Sequence, residues 1–185
     1  MSIFDPCVVR DTPPQKQRSA PTLHWIAMPG DSWPQPRREA SPESRAVALS
    51  EFMTALAGAC GRLWVLDRFF DFWCGLEPIL DALECVPRRQ RPGFQVRILT
   101  GKESRKKIKD SLLTEGITTV KEEEVRVLKD KSVHDRFALV DDDLWHFGST
   151  VGGGYHQLSA ASRGWYERAP ELSRVFENLW LQAKR

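Results

Sequence analysis

The residues best suited to chemistry lie in one run, His134-Asp135-Arg136-Phe137-Ala138-Leu139-Val140-Asp141, followed shortly by Gly148-Ser149-Thr150. His134 and Arg136 are separated by one residue, so on a strand both project from one face, while Phe137 and Leu139 turn to the other, toward a core. The acidic turn Asp141-Asp142-Asp143 leads into Leu144-Trp145-His146-Phe147, which reads as the return strand of a hairpin. Such a hairpin brings Ser149 back toward His134 and Arg136. A guanidinium offers a planar fork of donors to phosphate oxygens, a hydroxyl adds another donor, and an imidazole can act as nucleophile or acid. The set therefore points to phosphate chemistry, with His134, Arg136, Ser149 and Asp141 as catalytic candidates and Gly148 and Thr150 as substrate-binding ones. Asp141 also suits the turn itself, and the glycines 152–154 suit a plain loop as well as a close backbone approach to phosphate.

The elements that must position these residues can be read outward from the motif. The strand is expected over 133–140. Upstream, Leu63-Trp64-Val65-Leu66 and the run 94–99 are short apolar segments of the kind that form buried strands, and 125–128 is a third. Between them, apolar spacing predicts helices near 76–83 and 103–114. A helix opened by Ser41-Pro42-Glu43 has its cap, its first-turn proline and its acid in the preferred order. A terminal helix is expected over 171–183, with Leu172, Val175, Phe176 and Leu179 on one face. Strands alternating with helices and then a hairpin indicate an α/β domain, a mixed β-sheet flanked by helices. Residues 1–40 carry many prolines and read as an extended or partly disordered N-terminal segment, with a short strand at 24–28; the domain proper is expected over 41–185.

The spacing carries a resemblance. His134, Arg136, Asp141, Gly148 and Ser149 stand where the phospholipase D superfamily has H-x-K, four residues, D, six residues, G-S, with arginine replacing the lysine. The upstream β-α-β order resembles one half of that fold, so a phospholipase D-like half is expected. The resemblance implies that the motif histidine attacks phosphorus, forming a phosphohistidine, while a second motif histidine protonates the leaving group. With a single motif in this chain, the resemblance implies a homodimer whose two His134 side chains share one site, with no metal and no other cofactor. The chain departs from the pattern in two further places. Val151 stands where members often have asparagine, and 156–164 contains no acid to orient the histidine. The motif also resembles divergent phospholipase D-like modules, one of which ends certain microtubule-interacting-and-transport proteins, that bind lipid or protein partners.

The rest of the composition narrows the setting. Of 185 residues 41% are hydrophobic and 28% charged, a balance ordinary for a globular domain, and the net charge of +2 falls short of a dedicated nucleic-acid binder. Charge is uneven, however: Arg88, Arg89 and Arg91 form one basic knot and Lys102, Arg105, Lys106, Lys107 and Lys109 another. Cys60, Cys74 and Cys85 sit among apolar residues and read as buried thiols; with Cys7 they form no metal-binding spacing. No apolar run reaches membrane-spanning length and the amino terminus lacks a signal-peptide layout, so a cytoplasmic protein is expected. The aromatic group Trp64, Phe69, Phe70, Phe72 and Trp73 reads as core or dimer packing, with stacking on single-stranded bases the thinner alternative. Asp67, Arg68 and Asp71 follow a strand end, where α/β sheets place their sites, and cannot be ranked among themselves. Arg163 and Trp165 are candidates to close the site from the glycine-loop side.

Two functions are consistent with these residues. One is a metal-independent phosphodiesterase, nucleic acid being favoured over phospholipid as substrate. The other is a catalytically inactive module of the same fold that binds phosphate-bearing ligands or a protein partner.

Overall fold

The computed structural model describes residues 22–25, 51–70, 76, 79–80, 93–152 and 160–184. Within them seven strands form one sheet: β1 (Thr22–Trp25), β2 (Arg62–Leu66), β3 (Gln95–Thr100), β4 (Val125–Val127), β5 (Arg136–Val140), β6 (Asp143–Phe147) and β7 (Ala160–Arg163). Their spatial order is β1-β7-β6-β5-β2-β3-β4. β2, β3 and β4 run parallel, and every other pairing is antiparallel. The sheet is therefore mixed, as the alternation of helices and strands followed by a hairpin required.

The sheet is covered on both faces, and the side-chain alternation shows why. Along β2, Leu63 and Val65 enter one core with Ile98, Ala138, Trp145 and Phe147, while Trp64 and Leu66 enter a second with Leu99, Leu139 and Leu144. A helix over 51–57 (α1) supplies Phe52 and Leu56 to the first core, and α2 (Lys102–Thr114) adds Ile108 and Leu112. The terminal helix α3 (Ala169–Gln182) lays Phe176 and Trp180 over the second. There the Trp64 and Phe176 rings stack at 4.9 Å, and Arg97 sits over Trp64 at 4.9 Å while its guanidinium pairs with Glu177 at 2.8 Å. Cation–π contact lets a partly buried arginine keep its charge against an aromatic wall.

Some expectations shift. β5 begins at Arg136 rather than at 133, because Ser132-Val133-His134-Asp135 makes no pairing with β6. His134 is thus an exposed loop residue ahead of the strand, and the strand-face geometry expected for it does not apply. The 22–25 segment joins the sheet edge against β7, starting two residues before the strand expected at 24–28, of which residues 26–28 lie outside those described. β7 itself had no sequence signal, since Ala160-Ala161-Ser162-Arg163 has neither β-branched nor aromatic residues. Cys60 is half-buried rather than fully buried. Of the helix expected from 41, the described part, 51–57, is helical and ends at Gly58; the helix expected at 76–83 lies largely outside the described residues, and Cys7, Cys74, Cys85, Phe72, Trp73 and Asp71 lie outside them.

Candidate active site

The site forms where the carboxyl end of β2, the start of β5 and the end of β6 meet. The register pairs Arg136 with Phe147 and Phe137 with Leu66, so Arg136, Gly148 and Asp67 are neighbours by construction. Arg136 donates from Nη1 to the Gly148 carbonyl at 3.2 Å, and its Nε lies 3.8 Å from Asp67 Oδ1. The hairpin therefore joins Arg136 to the Gly148-Ser149-Thr150 loop as its spacing implied.

Asp67 is the organising residue that sequence reasoning could not single out. It is fully buried, at 0% exposure, immediately after the apolar strand. Its Oδ2 accepts the Thr150 hydroxyl at 2.6 Å and the Val151 backbone N–H at 2.9 Å, and its Oδ1 accepts the Phe69 N–H at 2.8 Å. Burial pushes its carboxyl above the ordinary carboxylate range, against the opposing pull of the Thr150, Val151 and Phe69 hydrogen bonds and the Arg136 charge. Asp67 thus ties the β2 end to the loop after β6. The signal available in the sequence was an acid directly continuing a buried strand, which must find donors or go unpaired.

The other candidates fall into place around it. Ser149 is buried at 7% exposure, and its Oγ has no hydrogen-bond partner among the described residues. Arg136 Nε is likewise buried without a hydrogen bond there. These are two buried donors without a hydrogen bond among the described residues, and Arg136 Nε has the Asp67 carboxylate 3.8 Å away as its ionic partner. Thr150 donates its hydroxyl to Asp67, so it holds the loop instead of facing a ligand. Gly148 is exposed and contributes its carbonyl to Arg136. His134 is exposed, two residues ahead of Arg136, and no side chain among the described residues hydrogen-bonds it.

Asp141 is not brought to this site. It sits in the hairpin turn at the opposite end of β5, where Val140 pairs with Asp143. Its carboxylate accepts the N–H groups of Cys60, Gly61 and Arg62 at 3.1, 2.6 and 3.0 Å, and its backbone takes a φ of 52°. Aspartate tolerates that left-handed conformation better than most side chains. Asp141 fastens the start of β2 and lies at the other end of β5 from Arg136. Arg163 is also at the far end: it pairs with Asp143 at 3.1 Å and Glu51 at 3.4 Å and stacks on Trp145. Trp165 donates its indole N–H to Ser162. Neither closes the site.

The aromatic group divides. Trp64 and Phe70 are buried, whereas Phe69 is 57% exposed and lies 5.5 Å from the Arg136 guanidinium. Among the described residues no group of three His, Cys, Asp or Glu side chains gathers as metal ligands, and no helix is long and apolar enough to cross a membrane.

Comparison with known proteins places the architecture. No family model and no curated protein matches the chain. Among solved structures it is similar to NucT from Helicobacter pylori, with 14% identity, a TM-score of 0.60, and coverage of 89% of this chain and 98% of that one. It is similar to Nuc, a phospholipase D family member from Salmonella typhimurium, at 14% identity and a TM-score of 0.53, covering 89% and 96% of the two chains. It also resembles phosphatidylserine synthase from Haemophilus influenzae at 11% identity and a TM-score of 0.51, where 68% of this chain spans 33% of the synthase. The fold is that of a phospholipase D-like domain.

Proposed function

We propose that this chain is a phospholipase D-like phosphodiesterase of the nuclease type, metal-independent, with His134 as nucleophile in a site shared by two copies. One observation carries the phosphate-binding part: Ser149 Oγ and Arg136 Nε are buried donors without a hydrogen-bond partner among the described residues, on the loop and strand that Asp67 fastens together. A phosphate oxygen supplies the acceptors that both lack. The phospholipase D-like fold, and the position of His134 two residues ahead of Arg136, support the chemistry. A His134 imidazole nitrogen attacks phosphorus and the bond to the leaving oxygen breaks. The His134 of a second copy gives that oxygen its proton, and water then returns the histidine by hydrolysing the phosphohistidine.

The exposure of His134 favours a second reading. An imidazole with no hydrogen bond among the described residues has neither tautomer nor orientation fixed by them. Either a second copy supplies that order, or the domain binds phosphate-bearing ligands or a protein partner without turnover.

Incubation of the protein and its His134→Ala variant with single- and double-stranded DNA, RNA and a simple phosphodiester, chelator present, separates the two. Chelator-resistant cleavage abolished by the substitution is the expected result. Equal inactivity with binding retained would sink the enzyme and leave the binding module. A monomer at working concentration would overturn the shared site.

A further inference from the structure

Phe69 is the large aromatic that the fold leaves most exposed among the described residues, at 57%, and the exposure is not looseness. Its own N–H is held by Asp67 Oδ1 at 2.8 Å, and the next residue, Phe70, is fully buried with its N–H on the Asp67 carbonyl. On the other side, the Arg68 carbonyl accepts the Gly101 N–H at 2.9 Å, and the Phe70 carbonyl accepts the Thr100 hydroxyl at 3.2 Å. The phenyl ring is thus presented outward by a fastened turn, beside Arg136, whose guanidinium lies 5.5 Å from the ring centroid.

The surroundings are cationic. Arg68 reaches across to the Asp130 carbonyl at 3.3 Å, which brings the 129–131 segment against the Phe69 turn, and exposed Lys129 and Lys131 flank that carbonyl. The Gly101–Arg68 bond sets the first turn of α2, with exposed Lys102, on the same end of the sheet. Of the acids nearby, Asp130 turns its carboxylate back onto the Ser132 N–H and hydroxyl, and Asp135 faces His146 across 4.0 Å. Glu103, exposed in the first turn of α2, is a third opposing charge, so three exposed acids stand against Arg68, Lys102, Lys129, Lys131 and Arg136.

We infer that Phe69 is a base-stacking platform next to the phosphate recess, and that the ligand of this sheet end is a single-stranded polynucleotide whose backbone passes Arg68, Lys102, Lys129 and Lys131; this rests on the phosphate-binding reading of Arg136 and Ser149. The Arg136 guanidinium lies over one face of the phenyl ring, 5.5 Å from its centroid, so a base stacks on the opposite face while the guanidinium beside it meets the backbone phosphate. In a duplex the base faces are stacked on one another and closed to the ring. A single strand can turn one base out onto Phe69 without unpairing, and stacking of that kind is tolerant of sequence.

The experiment measures anisotropy of a short fluorescent single strand, the matching duplex and anionic lipid vesicles, using full-length protein carrying His134→Ala so that no strand is consumed. Adding Phe69→Ala is expected to weaken the single strand about fivefold to a hundredfold, the range for one lost base stack, and Phe69→Trp to restore it. Lys129→Ala with Lys131→Ala is expected to reduce the slope of log affinity against log salt by about 1.4, two phosphate contacts at about 0.7 each. Unchanged single-strand affinity in Phe69→Ala, equal or tighter binding of duplex, or preference for vesicles each overturns the inference. So does a change in oligomeric state on Phe69→Ala, which assigns the ring to a contact between copies. Cleavage assays of the unsubstituted protein keep the two readings apart. Strand binding that depends on Phe69 but no cleavage sinks the enzyme and leaves the platform; cleavage indifferent to Phe69→Ala sinks the platform alone.

Discussion

Replacing Asp67 tests the architecture of the site through stability rather than activity. Asp67→Ala removes the acceptor of three donors at once. The Val151 N–H is buried and cannot reach water, the Phe69 N–H is half-buried, and the Thr150 hydroxyl can rotate in search of another acceptor. An orphaned buried donor costs roughly 1–3 kcal/mol, so about 2 for Val151 and about 1 for each of the others gives a loss near 4 kcal/mol. No contribution is added for Arg136, whose side chain is 26% exposed and can turn to solvent. For a chain of this size each kcal/mol moves the midpoint by about 2–4 °C, so melting should fall by roughly 10 °C. Asp67→Asn keeps an oxygen toward Thr150 and Val151 but sets an amide N–H₂ against the Phe69 N–H and the Arg136 guanidinium, and should lose about half as much. Thermal and urea unfolding of the three proteins at neutral pH, followed by far-UV circular dichroism, measure both. A Asp67→Ala variant within about 1 kcal/mol of the unsubstituted protein would refute the claim that this carboxylate binds the strand end to the loop.

Two further outcomes come from the same geometry. Because burial raises the Asp67 carboxyl above its unfolded value of 3.8, the folded state holds that proton more tightly, so its contribution to stability grows as pH falls from neutrality through the raised value and is complete below 3.8. Unfolding measured from pH 7 down to about pH 4 should therefore show the unsubstituted protein gaining on Asp67→Asn; a gap that narrows with falling pH contradicts the assignment. Asp141→Ala strips the acceptor from the Cys60, Gly61 and Arg62 N–H groups and leaves alanine at a positive φ, for a loss of about 2–3 kcal/mol. Its phosphate or oligonucleotide affinity should equal that of the unsubstituted protein, since the turn lies at the other end of β5; a selective loss of binding with unchanged stability would return Asp141 to the site.

What the sequence could reveal was set by local periodicity. Leu63-Trp64-Val65-Leu66 and Phe137-Ala138-Leu139-Val140 are apolar runs bounded by turn residues, so β2 and β5 were readable, and the two-residue turn between Val140 and Asp143 fixed the hairpin and with it the meeting of Arg136 and Gly148. β7 was unreadable because nothing in Ala160-Ala161-Ser162-Arg163 favours a strand. It is held by pairing between β6 on one side and β1 on the other, a contact across more than a hundred residues for which no local pattern exists. The same limit hid Asp67. Its partners Thr150 and Val151 lie 83 and 84 residues away, so only the assembled sheet distinguishes it from Arg68 and Asp71.

Motif spacing erred in a complementary way. H-x-R followed by an acid suggested one cluster, yet a strand of five residues carries its two ends to opposite ends of the sheet's strands. His134 and Arg136 lie at one end, and Asp141 must lie at the other whatever its chemistry. The consequence is a division of labour along β5. The aspartate fixes where β2 begins, and β2 in turn delivers Asp67 to the end where Arg136 and Ser149 wait. An acid that looked catalytic in the sequence therefore serves the fold at the start of β2, while the buried carboxylate that meets Arg136 is Asp67, at the other end of that strand.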